Sequence, residues 1–330
     1  MSAPVLEVED LRVAVGDVPL VRGVSFSLGA SRRLGVVGES GSGKTLTALA
    51  LMGLHRPPVR VVGGRARLGE VDLLALSRRE LDQVRGRRIA MIYQDPGTSL
   101  NPLMTVGAQI VEAVRLHARI GMADARRRAA DLLADVGVPD PGGRLSAYPH
   151  EFSGGMRQRA MIAMALAGEP DVLLCDEPTT ALDVTTQARV LDLIDRICHE
   201  RGLASVLITH DLGLAAGFCD EIAVMYAGQI VEHAPTDELY SNPRHPYTRA
   251  LLASTVDLTT GLEAVIPAIA GNPPLPDQLD AGCAFRTRCP LAIDVCAEPV
   301  ELSWAGGRQV RCVRADEPVA DGLAQEVAGA

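Results

Sequence analysis

The sequence predicts an α/β fold on a mostly parallel sheet, and three observations carry that reading. A glycine-rich loop, Gly38-Glu39-Ser40-Gly41-Ser42-Gly43-Lys44-Thr45, joins an apolar run at 34–37 to a helical run at 46–54. Two further apolar runs of buried-strand length, 172–175 and 204–209, flank a helical stretch from about 184 to 198. Strand, helix and strand at that spacing form the unit of a parallel sheet. The first of those runs then ends on adjacent carboxylates, Asp176 and Glu177.

The loop fits the pattern Gly, four residues, Gly-Lys-Thr, whose backbone N–H groups wrap a polyphosphate at the positive end of the following helix. Gly38, Ser40, Gly41, Ser42, Gly43, Lys44, Thr45 and Thr47 are therefore the candidate nucleotide-binding set, with Lys44 reaching the terminal phosphates and Thr45 a magnesium ligand. Lys44 is the only lysine in the chain, against 31 arginines. Arginine serves wherever a surface cation is needed, whereas a closed phosphate cradle calls for a slim point charge rather than a planar fork.

The totals narrow the classes. A chain of 330 residues can bury an ample core. A net charge of −9 argues against nucleic acid as the main partner, because phosphate backbones reward a basic surface. No apolar run approaches the roughly 20 residues that span a bilayer. Met1-Ser2-Ala3-Pro4 lacks the charged and apolar regions of a signal peptide, so a cytoplasmic chain is expected.

Taken in order, the first third reads as strands. Val24, Phe26 and Leu28 alternate with Ser25 and Ser27, the period of a half-buried strand. Residues 61–68 suggest two short strands about Gly63-Gly64, and 89–93 a further strand ending at Gln94-Asp95-Pro96. Ile110, Val111, Val114 and the stretch 125–136 show helical spacing, stopped by Gly137-Val138-Pro139. After Ser153-Gly154-Gly155 a helix is expected over 156–167, and residues 222–232 read as a hairpin around Ala227-Gly228. Prolines thicken from Ser241 and periodicity fades, which places a boundary near residue 240.

The acidic pair has its own chemistry: Asp176 at a strand tip can hold the magnesium shell, and Glu177 can accept a proton from attacking water. With Phe152-Ser153-Gly154-Gly155-Met156-Arg157-Gln158-Arg159 in view, the chain resembles the ATPase subunits of ABC transporters. Gln94 matches the Q-loop, Ser153-Gly154-Gly155 the signature, Asp176-Glu177 the Walker B pair, Ala181-Leu182-Asp183 the D-loop and His210 the switch histidine.

The resemblance implies a P-loop NTPase fold: a RecA-like, mostly parallel sheet core, an antiparallel β subdomain and a helical subdomain at about 97–168. It implies catalytic roles for Glu177, His210, Lys44 and Gln94, magnesium held through Thr45, Gln94 and Asp176, and nucleotide contacts from Ser153, Gly154, Gly155 and Asp183. Ser153 with its glycines can equally be a helix cap and turn, since capping and anion binding share one geometry. In this family the signature faces the γ-phosphate held by a second ATPase, so ATP joins two chains.

Tyr93-Gln94-Asp95-Pro96-Gly97-Thr98-Ser99-Leu100-Asn101-Pro102 and Asn242-Pro243-Arg244-His245-Pro246-Tyr247-Thr248 are similar to segments of peptide and nickel importer ATPases. So is Gly282-Cys283-Ala284-Phe285-Arg286-Thr287-Arg288-Cys289-Pro290. Domains of 1–240 (ATPase) and 241–330 (extension) follow. The resemblance implies a dipeptide or oligopeptide importer; the alternatives are an importer of nickel or another small solute, and a soluble ABC ATPase acting on nucleic acid or the ribosome. The importer's partners would be two transmembrane permease subunits, a second ATPase more readily a relative than a copy, and indirectly an extracytoplasmic binding protein. Its place would be the cytoplasmic side of the cell membrane. Two departures stand out: Val15 where the family stacks adenine on an aromatic ring, and Phe152 for leucine at the first signature position.

Cys175, Cys198 and Cys219 lie in apolar segments and read as small core residues. Cys283, Cys289, Cys296 and Cys312 cluster, separated by five, six and fifteen residues. Zinc ribbons prefer two to four residues between paired ligands. Four thiolates can instead hold an iron–sulfur cube, and the resemblance implies a 4Fe–4S cluster. Zinc and free thiols or disulfides remain alternatives, and Arg286 and Arg288 are candidates to offset thiolate charge.

Overall fold

The computed structural model describes residues 3–180, 183–254, 269–305 and 308–315. The strands are β1 (Leu6–Val15), β2 (Val18–Leu28), β3 (Arg33–Val37), β4 (Val59–Leu68), β5 (Val71–Asp72), β6 (Ile89–Ile92), β7 (Val172–Asp176), β8 (Ala204–Thr209), β9 (Glu221–Tyr226), β10 (Gln229–Pro235), β11 (Ser303–Ala305) and β12 (Arg308–Val310). The chain divides into two compact units: Met1–Glu7, Ser27–Arg32 and Arg67–Leu207 form the first, and Val8–Phe26, Arg33–Ala66 and Ile208–Ala330 the second.

In the first unit β6 and β7 run parallel, with Ile89 opposite Val172 and Ile92 opposite Cys175. Both strands are buried along their length, which is why their sequences are continuous apolar runs rather than alternating ones. Helices Val106–His117, Met122–Asp135 and Gly154–Ala165 pack on one another. Ala125, Ala129, Leu132 and Leu133 form the buried stripe of the second of these, the i, i+4, i+7 spacing seen in sequence. Helix Val184–Arg201 closes on Gly202 in the left-handed conformation.

In the second unit β3 runs parallel to β9, with Val37 opposite Val224. β10 returns antiparallel from β9 through the Ala227-Gly228 turn, where both residues have positive φ, as a tight hairpin turn requires. β12 then pairs with β10, and β11 with β12. Residues past 240 thus extend the sheet that carries the phosphate loop. Regular structure also persists there in helix Pro246–Ala253, whose Tyr247 is fully buried.

One local expectation fails. Residues 61–68 do not fold as two strands about a Gly-Gly turn but belong to the single strand β4. Gly64 has φ +97, and a Cβ there would lie 2.5 Å from the Asp10 carbonyl oxygen. The glycine marks close approach to the neighbouring backbone, not a reversal of chain direction. The helix expected over 156–167 begins two residues earlier, at Gly154, because Ser153 caps it.

Candidate functional site

The phosphate loop lies in the second unit, directly after β3. Gly38 is required by space: a Cβ there would meet the Met225 carbonyl oxygen at 2.1 Å. Helix Lys44–Leu51 starts at Gly43, so the first N–H groups of the helix point back into the loop. Lys44 is 4 % exposed. Its Nζ donates to the carbonyls of Gly38 and Glu39 at 2.7 and 2.9 Å and to Ser42 Oγ at 3.4 Å, so the cation is held by the loop it serves. Ser42 and Thr47 are buried, Thr47 Oγ1 donating to the Gly43 carbonyl at 3.0 Å, while Ser40, Gly41 and Thr45 stand exposed. His210, exposed, follows β8 in the same unit.

The carboxylate pair lies in the first unit. Asp176 is buried at the tip of β7, and Glu177 follows with φ +44, a left-handed conformation that a non-glycine residue adopts at some cost. Its Oε2 accepts from Gln94 Nε2 at 3.0 Å and from Thr180 Oγ1 at 2.7 Å. Gln94 leaves β6, the parallel neighbour of β7, so adjacent strand ends deliver the two residues to one place. Sequence reasoning paired Gln94 with magnesium and water; the structure adds the direct contact to Glu177.

It also missed what holds the turn after Glu177. Gln158, 1 % exposed on the signature helix, donates Nε2 to the Pro178 carbonyl at 2.7 Å, and Gln187 donates to the Thr179 carbonyl at 3.1 Å. Ser153 Oγ accepts from the Met156 N–H at 3.3 Å, so it caps the helix as one of its two expected roles requires, with Gly154 exposed and Gly155 half-buried. Asp183 caps helix Val184–Arg201, and its bonds from the Thr186 hydroxyl and N–H hold its carboxyl below the usual range. Ala181 and Leu182 of the same motif lie outside the described residues.

The four clustered cysteines line one small cavity of about 20 Å³, together with His245 and Phe285. Burial pushes the Cys283 and Cys312 thiols up and Cys289 up to about 11, and the other cysteines add repulsion against a further thiolate. The sulfurs are not drawn to ligating separation: among the described residues no three His, Cys, Asp or Glu side chains form a metal-holding group. Arg286 lines the cavity but pairs with Asp280 at 2.6 Å, and the Arg288 guanidinium is engaged by Glu39, so Arg288 does not balance thiolate charge as its position suggested.

Comparison with known proteins places this chain in a family. The ABC transporter family model matches residues 21–180, and the model for the oligopeptide/dipeptide transporter C-terminal region matches 231–296. A probable peptide ABC transporter ATP-binding protein of Sinorhizobium fredii is 48% identical over 321 residues, 95% of this chain and 96% of its own. The oligopeptide transport ATP-binding protein OppD of Salmonella typhimurium is 46% identical over 316 residues, 94% and 93% of the two chains. Two solved structures share the fold. The ATP-binding cassette MJ0796, in a dimeric post-hydrolysis state with ADP and Pi, gives a TM-score of 0.62 at 24% identity over 70% of this chain and 98% of that one. The protein cbiO1 of Clostridium perfringens, part of the ABC transporter complex cbiONQ, gives 0.64 at 22% over 73% and 92%. The chain belongs to the ATP-hydrolysing, ATP-binding proteins of ABC transporters, in the branch that carries the oligopeptide/dipeptide transporter C-terminal region.

Proposed function

We propose that this chain energises the import of dipeptides or oligopeptides, binding and hydrolysing ATP on the cytoplasmic face of two membrane permease subunits. The observation that carries the substrate class is near-full-length similarity to peptide transport ATP-binding proteins, extending through the C-terminal region. In this reading the phosphate loop, Lys44 and Thr45 hold the nucleotide, and Thr45 and Asp176 its magnesium. Glu177 takes the proton from attacking water, oriented by Gln94 and Thr180. His210 contacts the γ-phosphate, and Ser153-Gly154-Gly155 close on nucleotide held by a second ATPase, a relative more readily than a copy. A binding protein outside the membrane delivers the peptide.

The permease would dock where the Gln94 loop meets the helical segment. In support, a groove of about 760 Å³ runs past Thr105, Ala108, Val111, Leu116 and Met122, with Leu116 75 % and neighbouring Leu103 86 % exposed. Apolar exposure on that scale is typical of surfaces that meet a partner. For residues 241–330 we propose a metal-stapled extension, Cys283, Cys289, Cys296 and Cys312 holding a 4Fe–4S cluster whose thiolates replace the buried thiols. What supports it is that all four cysteines line one cavity. Anaerobically purified protein should be brown; colourless protein with stoichiometric zinc would overturn the cluster.

Glu177→Gln tests the central reading. It should still bind ATP while turnover falls about 10²–10⁴-fold, the scale of a lost general base. Near wild-type hydrolysis would remove Glu177 from that role.

A further inference from the structure

Arg288 adjoins Cys289 in sequence, yet its guanidinium sits on the phosphate loop. Nη1 and Nη2 donate to the two carboxylate oxygens of Glu39 at 2.7 and 3.1 Å, the paired-fork geometry that makes arginine–carboxylate contacts strong. The Arg288 side chain is 4 % exposed. Nη1 also reaches Tyr226 Oη at 3.3 Å, and Nε the Ala270 carbonyl at 2.9 Å. The guanidinium carbon lies 5.8 and 5.9 Å from the ring centres of Tyr226 and Phe285.

Glu39 is the second residue of the phosphate loop, and its own N–H donates to Tyr247 Oη at 2.9 Å. Its backbone carbonyl holds Lys44. A carboxylate in that position is a liability, since it repels the anion the loop is shaped to receive. Arg288 cancels that charge and fixes the side chain in one place. What presents Arg288 is the short turn between two of the clustered cysteines: the N–H groups of Arg286, Arg288 and Cys289 donate to the carbonyls of Cys283, Phe285 and Arg286 at 3.0, 3.0 and 3.3 Å.

We propose that Arg288 is a positioning residue for the nucleotide site, neutralising Glu39 and setting the loop's geometry from the cysteine-bearing turn. This rests on the reading of the loop as the ATP site. It gives the C-terminal extension a direct effect on ATP affinity through a pair of residues 249 positions apart.

The full-length chain, titrated with a fluorescent ATP analogue and magnesium, tests this in four forms: wild type, Arg288→Met, Glu39→Gln and the double variant. Arg288→Met should weaken binding about tenfold, the scale of an uncompensated charge at a binding site. The double variant should recover most of that loss, because no bare carboxylate remains. Unchanged affinity in Arg288→Met overturns the proposal. So does a double variant no better than Arg288→Met, which would confine Arg288 to holding the fold. If Arg288→Met fails to fold, Arg288→Gln with and without Glu39→Gln gives the same comparison. A wild-type chain that does not bind the analogue overturns the nucleotide reading itself and this proposal with it.

Discussion

Gln158 is a residue whose importance is invisible until the chain is folded. It sits one turn into the signature helix, where a polar side chain reads as ordinary helix surface, yet it is buried and bonded to the Pro178 carbonyl. That bond fixes the turn from which Glu177 projects. Gln158→Leu leaves the carbonyl unsatisfied, and we expect a loss of about 1–3 kcal/mol in denaturant unfolding together with reduced turnover. Wild-type stability and turnover in that variant would show that the turn stands without it. Lys44, Asp176 and Glu177 stand out as candidates in the sequence because short local patterns mark them. Gln158, Tyr247 and Arg288 do not, because their partners lie 20, 208 and 249 residues away and only packing brings them there.

At the scale of elements, continuous apolar runs and tight turns were read well, since burial on both faces and chain reversal each leave a local signature. β7, β8 and the β9–β10 hairpin fall where periodicity put them. β4 did not, because a Gly-Gly pair looks the same whether it turns a chain or lets a neighbouring backbone come close. The two glycines are accordingly unequal. A Cβ on Gly63 would make an ordinary contact with Arg12 Cδ at 3.5 Å, whereas one on Gly64 would meet backbone at 2.5 Å with φ at +97. Gly64→Ala should therefore cost about 2 kcal/mol or more and Gly63→Ala well under half of that, compared by urea midpoints. Equal costs would mean that β4 is not held this closely. The strands of the extension were hidden for a different reason: β11 and β12 are three residues each, too short for a period to show.

For the molecule as a whole, the groove beside Thr105 makes docking testable without knowledge of the substrate. Leu116→Asp puts a charge into its apolar wall, and the share of chain that co-purifies with the membrane subunits should fall several-fold, as for a lost interface anchor. Undiminished co-purification would take the groove out of the interface. β12 lies along β10 as its antiparallel neighbour. Glu232 on β10 is wholly buried, its carboxylate held by the N–H groups of Arg244 and His245 at 2.9 Å each, with Arg308 of β12 3.8 Å away. Remove everything past residue 240 and three things happen together: a carboxylate loses its donors, a sheet loses its border, and β10 offers a bare ladder of N–H and C=O groups to any passing strand. The tail is thus also a guard against self-association, and a shortened chain should be found in the aggregate rather than in solution.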